Sequence, residues 1–412
     1  MSRGYRFFLY LLSNGTAKGV PLLSLYVFSK YVDLADYGRI LLVIAWAGIL
    51  MPLLSGNAFM GLDRSIPSRG VKASAEEIGQ IFWLVLVAHA ILIVVLILAD
   101  QFGLAIFSDV FSYAVVYSLF SSIVFLGLQV LKNIEKPFTY FFAANIASVG
   151  TFFGVLAAFL FGKYLPWGAS AEFSYIVKIY ILFQVISAAY TVSFLVGLGV
   201  SFKWPGGVWR RFFESRTYLL HSFSTSIINF SDRVALSFFF EPQVVGAYAA
   251  ALLLGQSVSL IQDSYHKSYA PDVMRRYSSE TDSDIKKYEI RSLKRIGGLL
   301  IIVGFLVSAS LCLLSSYFLT QDYSPRVDLV LLIGFGYSIN GIIKFFLPRL
   351  MLVGRFAKFA TAMTEGALVK LALNFVLLPS LEGLGAAIST VLSFLYIAIR
   401  VYNYWNKNYD FK

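Results

Sequence analysis

The sequence has 412 residues, of which 58% are hydrophobic and only 14% are charged. A soluble domain cannot bury so large a share of apolar side chains, so the composition excludes a soluble globular protein and predicts an integral membrane protein. The formal net charge of +11 would suit nucleic-acid binding, but the basic residues cluster in short loops, as membrane orientation signals do. The single cysteine, Cys312, excludes an intrachain disulfide framework and a metal site built from several cysteines.

Apolar runs of about 20 residues recur along the whole sequence, which predicts transmembrane helices rather than the shorter, alternating strands of a barrel. The first run follows Arg3 and Arg6 and resembles a signal peptide. However, Lys18 interrupts the run and no small-residue cleavage site follows, so we predict a retained first span. Twelve spans are predicted, over residues 5–28, 38–60, 79–99, 110–131, 138–161, 175–199, 218–240, 244–266, 295–317, 327–348, 359–379 and 383–404.

The basic residues predict the orientation of these spans. Most of the 34 lysines and arginines lie at the two ends and in every second loop, whereas the intervening loops hold only Lys30, Lys163 and Arg326. Because positively charged loops stay in the cytoplasm, both termini are predicted to be cytoplasmic and the number of spans to be even.

The middle of the sequence predicts a division into two lobes. The segment 201–217 is basic, aromatic and rich in turn residues, as expected for a linker on the cytoplasmic leaflet. It separates an N-terminal lobe over 1–200 from a C-terminal lobe over 218–412, each with six spans. Similar short motifs at the same place in both halves support this division, and two parallel six-span halves are common in secondary transporters.

Three cations interrupt long apolar runs: Lys18, Arg233 and Lys370. A charge at the centre of a bilayer costs at least ~2.5–3.5 kcal/mol, so such residues usually face a partner, a wet cavity or a substrate. Arg39, Lys178 and Lys344 lie nearer to span ends and are predicted to extend to the interface. The remaining three cations therefore suggest an anionic substrate.

Amide and hydroxyl residues accompany these cations at helical spacing, which places them on shared faces. Asn14 precedes Lys18 by four residues, Asn229 precedes Arg233 by four, and Asn374 follows Lys370 by four; Asn340 and Lys344 repeat the spacing in span ten. Eight residues are therefore candidates for substrate binding: Lys18, Arg233, Lys370, Asn14, Asn229, Asn374, Asn340 and Lys344.

An alternative interpretation is that the cations pair with buried acids and that the amides join helices. Asp232 adjoins Arg233 in sequence but points about 100° away round the helix, so the two need not pair with each other. The same acids are candidates for ion coupling, since a buried carboxylate can exchange a proton near neutral pH. The ion-coupling candidates are Glu365, Asp263, Asp232 and His89, although an isolated histidine is more often a hydrogen-bonded packing residue.

Catalytic motifs are sparse. The sequence lacks a Walker A motif, a G-x-S-x-G motif and a histidine cluster with metal-ligand spacing. We therefore expect a transporter rather than an enzyme, with no metal and no cofactor, and with a proton or sodium gradient as a driving force.

Three segments carry a family resemblance: Asn229-x-x-Asp232-Arg233-x-x-Leu236 with Val245 to Ala251, Asn374 to Pro379 with Gly383 to Thr390, and Tyr37-Gly38 at the start of span two. They resemble signatures of the polysaccharide-export and O-antigen flippases of the Wzx type, whose span count and two-lobe plan also match along the full length. Only the Asp232-Arg233 and Asn374 motifs match the family's signatures position by position. The roles predicted for Lys18 and Lys370 depend instead on the argument about charges inside apolar runs.

The resemblance implies the multidrug/oligosaccharidyl-lipid/polysaccharide exporter fold, with two six-helix lobes in a V that opens alternately to each side of the bacterial inner membrane. It implies that the substrate is an undecaprenyl-diphosphate-linked oligosaccharide for O-antigen or a similar surface polysaccharide. A polysaccharide polymerase and a chain-length regulator would be partners, and nucleic acid would not.

Three other functions are weighed against this one. A polysaccharide polymerase typically carries a large periplasmic loop, whereas the longest outward loops here, near 162–174 and 318–326, are short. A multidrug exporter of the same fold would be expected to line its cavity with acids. A scaffold role lacks support, because the sequence has no soluble domain or long tail.

Overall fold

The computed structural model describes residues 3–102, 109–134, 136–161, 172–202, 204, 206–263, 266, 282–352 and 355–406. Within these ranges the chain is helical and contains no strand, as the apolar runs predict. The helices are α1 (Arg3–Tyr31), α2 (Leu34–Ser55), α3 (Leu62–Arg69), α4 (Ala75–Gln101), α5 (Asp109–Asn133), α6 (Pro137–Phe161), α7 (Phe173–Gly197), α8 (Val208–Glu214), α9 (Arg216–Phe239), α10 (Pro242–Gly255), α11 (Asp282–Ser292), α12 (Gly298–Phe318), α13 (Val327–Leu352) and α14 (Phe356–Asn406).

Nine helices among the described residues are long and apolar enough to cross a membrane, so the protein is a multi-pass membrane protein. Every predicted span overlaps a helix of the structure, but two of those helices, α1 and α9, are not among the nine. These two are the least apolar of the long helices, because they carry the polar stripes around Lys18 and Arg233. The count of twelve spans and the cytoplasmic termini stay predictions.

The helix α14 contains two of the predicted spans in one continuous element. Its backbone leaves helical geometry at Glu382, where φ is 50° and ψ is −130°. This is the position at which the Glu382-Gly383 pair predicts a turn. The bend folds residues 383–406 back along residues 356–381, so that Ser393 Oγ donates to the carbonyl of Gly366 at 2.7 Å.

The chain forms two compact units, Met1–Ser226 and Ile227–Lys412. The predicted lobe boundaries and the linker over 201–217 stay predictions, and the division of the structure falls inside α9. In the first unit, a buried apolar core joins α3, α4, α5 and α7 through residues such as Leu62, Ile81, Leu126 and Leu195.

The described part of the segment 201–217 packs on α4. Trp83 Nε1 donates to the carbonyl of Phe202 at 2.9 Å, and Gln80 Nε2 donates to the carbonyl of Gly206 at 3.0 Å. The rings of Trp83 and Trp204 meet edge to face, with their centroids 5.1 Å apart. The indole and amide of α4 thus anchor the backbone that leads into α8.

In the second unit, a core of apolar side chains joins α9, α13 and both parts of α14. Phe394 and Ile397 from the second part of α14 belong to this core together with Ile343 and Phe346 of α13. Trp405 lies at its end and donates from Nε1 to Glu289 Oε2 of α11 at 2.9 Å. This packing fixes the face of α14 that carries Lys370.

Candidate functional site

Two of the three intramembrane cations meet at one carboxylate in the second unit. Lys370 Nζ of α14 lies 3.4 Å from Asp232 Oδ2 of α9, and Arg233 Nε lies 3.7 Å from Asp232 Oδ1. The side chains are 0%, 2% and 9% exposed for Lys370, Asp232 and Arg233 respectively. We call these three residues the charge cluster.

Further hydrogen bonds hold Asp232 in place. The hydroxyl of Tyr248 on α10 donates to Asp232 Oδ2 at 2.6 Å, and the backbone N–H of Arg233 donates to Asp232 Oδ1 at 2.8 Å. Lys370 Nζ also donates to the carbonyl of Ile228. Because a buried charge needs partners for its remaining hydrogen-bonding capacity, these bonds are what allow the cluster to sit in an apolar unit.

The guanidinium of Arg233 is less completely satisfied than the ammonium of Lys370. One nitrogen, Nη2, donates to the carbonyl of Asn229 one turn earlier at 2.6 Å, and the group lies 5.0 Å from the centroid of the Phe230 ring. Its buried Nε has no hydrogen-bond partner within the described residues. Arg233 therefore keeps one N–H group, at Nε, that can still donate a hydrogen bond.

The charge cluster has two positive charges and one negative charge. No second carboxylate pairs with Arg233 or Lys370 in the part of the chain that the structure describes. The helical angle of about 100° between Asp232 and Arg233 does not require them to pair, but the structure brings Arg233 Nε to 3.7 Å from Asp232 Oδ1, because a long arginine side chain can turn back to its neighbour. The unbalanced positive charge suits an anion such as a phosphate group.

Asn374 lies one turn beyond Lys370, is fully buried, and connects the two parts of α14. The hydroxyl of Ser389 donates to its Oδ1 atom, whereas Nδ2 has no hydrogen-bond partner among the described residues. The two parts approach closely here, since a Cβ atom on Gly385 would lie 2.6 Å from the carbonyl oxygen of Leu377. Glycine at 385 allows this close approach of the two parts, and the contact with Ser389 lies between the same two parts.

Two other predicted residues form half-exposed ion pairs. Lys344 donates to Asp263 Oδ1, with side chains 25% and 31% exposed. The predicted extension of Lys344 to the interface stays a prediction. Glu365 accepts from Arg400 Nε at 2.7 Å and Nη2 at 2.8 Å, and from the hydroxyl of Tyr396 at 3.0 Å. Arg400, one of the basic residues at the C-terminal end, thus also joins the two parts of α14.

His89 is fully buried in α4 of the first unit. Its Nδ1 lies 2.7 Å from the carbonyl of Val85, and its Nε2 lies 2.9 Å from Ser118 Oγ of α5. Both ring nitrogens therefore have local partners, which is the arrangement of a packing residue that links α4 to α5.

The remaining candidates are less informative. Asn229 and Asn340 are half-buried. The side chains of Lys18 and Asn14 lie outside the described residues. The substrate-binding and ion-coupling roles of all these residues stay predictions.

Sequence reasoning missed Tyr248, Ser389 and Arg400 as members of these networks. Tyr248 and Ser389 lie inside the motifs that carry the family resemblance, so the sequence did contain information from which their hydrogen bonds could have been predicted. A polar side chain in such a motif, next to runs of alanine and glycine, indicates close helix packing with a hydrogen bond across it. Arg400 gave no such signal, because arginine near a cytoplasmic end fits the orientation rule.

Solved structures of two kinds of transporter share this fold. An inward-facing multidrug resistance MATE family transporter of the MOP superfamily is 12% identical, with a TM-score of 0.65, covering 97% of this chain and 94% of its own. The lipid II flippase MurJ in an inward closed conformation is 13% identical, with a TM-score of 0.66, covering 96% and 86%. A variant of the MATE transporter VcmN from Vibrio cholerae is 13% identical, with a TM-score of 0.64, covering 98% and 95%.

Comparison with curated proteins gave no match. The model of one protein family matches residues 5–264, which is more than half of the chain and includes Asp232, Arg233 and Tyr248. This protein therefore belongs to the family described as polysaccharide biosynthesis proteins.

Proposed function

We propose that this protein is a Wzx-type flippase of the bacterial inner membrane. Its substrate is an undecaprenyl-diphosphate-linked oligosaccharide, a repeat unit of O-antigen or a similar surface polysaccharide, which it moves from the cytoplasmic to the periplasmic leaflet. The observation that carries this proposal is the charge cluster, in which two buried cations share one carboxylate. The polysaccharide family and the fold shared with MurJ and the MATE transporters support it.

The chemistry of the cluster suits a diphosphate. The planar guanidinium of Arg233 can donate two parallel hydrogen bonds to a phosphate, and Lys370 adds a compact positive charge. Asp232 offsets one of the two positive charges, so a diphosphate would compete with Asp232 for the two cations and would meet one uncompensated positive charge. Neutralising the diphosphate lowers the cost of carrying it through a region of low dielectric constant.

The proposed movement is alternating access. The diphosphate-sugar head group passes through the protein, with Lys18, Asn14, Asn229, Asn374, Asn340 and Lys344 as further contacts, while the polyprenyl tail stays in lipid. A proton or sodium gradient drives the cycle. Of the coupling candidates, Asp232 is the one whose side chain contacts the proposed phosphate-binding cations directly.

A translocation assay tests the proposal. Lys370→Gln, Arg233→Gln and Lys18→Gln are introduced separately, and transfer of the lipid-linked oligosaccharide across the membrane is measured in cells or proteoliposomes at equal protein levels. Each variant should lose most of its transport. The matched control is Lys287→Gln on α11, whose side chain is 75% exposed and whose loss should leave transport intact.

Full transport by all three variants would overturn the proposed substrate site. Efflux of cationic drugs by the intact protein, without movement of the lipid-linked oligosaccharide, would instead favour a multidrug exporter. Longer glycan chains made by the purified protein would favour a polymerase. The polymerase and chain-length regulator expected as partners would be sought by crosslinking in the same cells.

A further inference from the structure

The first unit contains a polar cavity that is separate from the charge cluster. Its volume is about 480 Å³, within the range of sites that bind small molecules. The cavity is lined by Ala58, Gly61, Ser65, Ser68, Arg69, Glu77, Glu214, Ser215 and Tyr218. All of these residues belong to the unit Met1–Ser226.

Local backbone geometry forms one wall of this cavity. Asn57 adopts a left-handed conformation with φ of 48° immediately after α2. Its Nδ2 atom donates to the carbonyl of Tyr218 at 3.3 Å and to the hydroxyl of Ser222. The amide therefore ties the first turns of α9 to the short helix Ala58–Gly61, and the cavity lies beside this junction.

The charges of the lining do not suit a phosphate. Arg69 is the one cation among the described lining residues, and Arg69 Nη2 already lies 3.1 Å from Glu77 Oε2. Glu214 adds a second carboxylate, which pairs with Arg210 outside the lining. Because both carboxylates among the described lining residues are paired with an arginine, these residues offer a dianion no unpaired cation, whereas carboxylates, a guanidinium and hydroxyls together suit the donors and acceptors of sugar hydroxyls.

One lining hydroxyl lacks a partner. Ser65 is 4% exposed, and its Oγ atom has no hydrogen bond within the described residues. A buried hydroxyl without a protein partner is unfavourable, so such a group at the wall of a cavity is a candidate hydrogen-bonding partner for a bound molecule. Ser74 is equally buried and unpartnered but does not line the cavity, which makes it a matched control.

We infer that this cavity binds a sugar residue of the transported oligosaccharide at the cytoplasmic side of the first unit. The inference rests on the proposed function for the identity of the ligand. The loop 61–78, which supplies five of the lining residues, belongs to the basic set that predicts a cytoplasmic location. The first unit would recognise the sugar there, while the charge cluster of the second unit binds the diphosphate.

Photo-crosslinking in living cells tests the inference. A benzophenone amino acid replaces Ser68, an exposed lining residue, or Ala73, an exposed residue outside the lining. After irradiation of cells that make the lipid-linked oligosaccharide, mass spectrometry identifies the adducts. We expect a saccharide adduct at position 68 and none at 73, and an attached polyprenyl diphosphate would distinguish the lipid-linked unit from a free sugar.

A second variant separates binding from folding. Ser65→Ala should lower the adduct yield roughly two- to tenfold, the effect of one lost hydrogen bond, without lowering the melting temperature. Ser74→Ala should change neither. No saccharide adduct at 68, equal adducts at 68 and 73, or an equal loss of yield in both serine variants would overturn the inference.

The two proposals fail separately. If the protein transports the lipid-linked oligosaccharide but position 68 captures no saccharide, the cavity assignment is wrong and the flippase assignment stands. If position 68 captures a free saccharide but the protein transports no lipid-linked substrate, the cavity binds sugar and the flippase assignment is wrong.

Discussion

The ammonium group of Lys370 lies 3.4 Å from the Oδ2 atom of Asp232, and neither side chain is more than 2% exposed. Lys370 comes from α14 and Asp232 from α9, so the pair joins the two helices that carry the Asn374 and Asp232-Arg233 motifs. A single carboxylate holds both cations of the charge cluster. Its removal should affect folding and transport together.

Asp232→Asn should be strongly destabilising. The change leaves Lys370 and Arg233 buried without a counter-charge, which costs about 3–5 kcal/mol for a broken buried pair. Thermal unfolding of the purified protein in detergent measures the effect. Asp328→Asn is the matched control, because Asp328 forms an exposed pair with Arg326 whose loss should change stability by less than about 1 kcal/mol. Adding Lys370→Gln to Asp232→Asn should restore part of the lost stability, and an additive further loss would contradict the pairing.

Tyr248→Phe should destabilise the protein less than Asp232→Asn. It removes only the hydroxyl that donates to Asp232 Oδ2 at 2.6 Å, and a hydrogen bond to a charged group contributes about 1.5–3 kcal/mol. Tyr337→Phe removes the hydroxyl of another buried tyrosine, one without a hydrogen bond to Asp232. Equal melting temperatures for the two variants would mean that the bond to Asp232 contributes nothing specific.

Glu365→Gln tests an ion-coupling candidate. Three hydrogen bonds from Arg400 and Tyr396 hold the carboxylate in a structural network. Because the pair is 29% and 37% exposed, its loss should cost about 1 kcal/mol or less. Transport by Glu365→Gln should depend on the proton or sodium gradient to the same extent as transport by the unmodified protein. Transport that no longer responds to either gradient would assign Glu365 to coupling instead.

Gly385→Ala should destabilise the bend of α14. The added Cβ would lie 2.6 Å from the carbonyl oxygen of Leu377, and an overpacked contact costs about 1–3 kcal/mol. Gly298→Ala on α12 is the control, since nothing lies within 4 Å of its added Cβ. If the two variants melt at the same temperature, the close approach does not constrain the helix pair.

The sequence predicts the helices and the turn at Glu382 well, because both depend on local patterns. Apolar runs of bilayer length and a glutamate-glycine pair between two such runs leave few alternatives. Membership of a polysaccharide family, too, could be predicted from short motifs, whereas the Wzx type stays a proposal. The number of spans is harder to establish. The helices α1 and α9 carry so many polar residues that they are not among the helices apolar enough to count as membrane spans.

The partners of the buried charges could not be predicted from helical angles. The position of Asp232 on the helix fixes the direction of its Cβ but not the place where the long Arg233 side chain ends. The contact between Asp232 and Lys370 depends on how α9 packs against α14, which no local pattern specifies. The same holds for the cavity beside Ser65, because its walls come from four separate segments.

The close packing within α14 has a consequence for variation among relatives. A Cβ atom on Gly366 would lie 2.2 Å from Cγ1 of Ile397, so these two residues, far apart in sequence, share one small volume. Neither can grow unless the other shrinks. In relatives where a larger residue replaces Gly366, the side chain at position 397 should therefore be smaller than isoleucine by at least a methyl group. The two positions should change together.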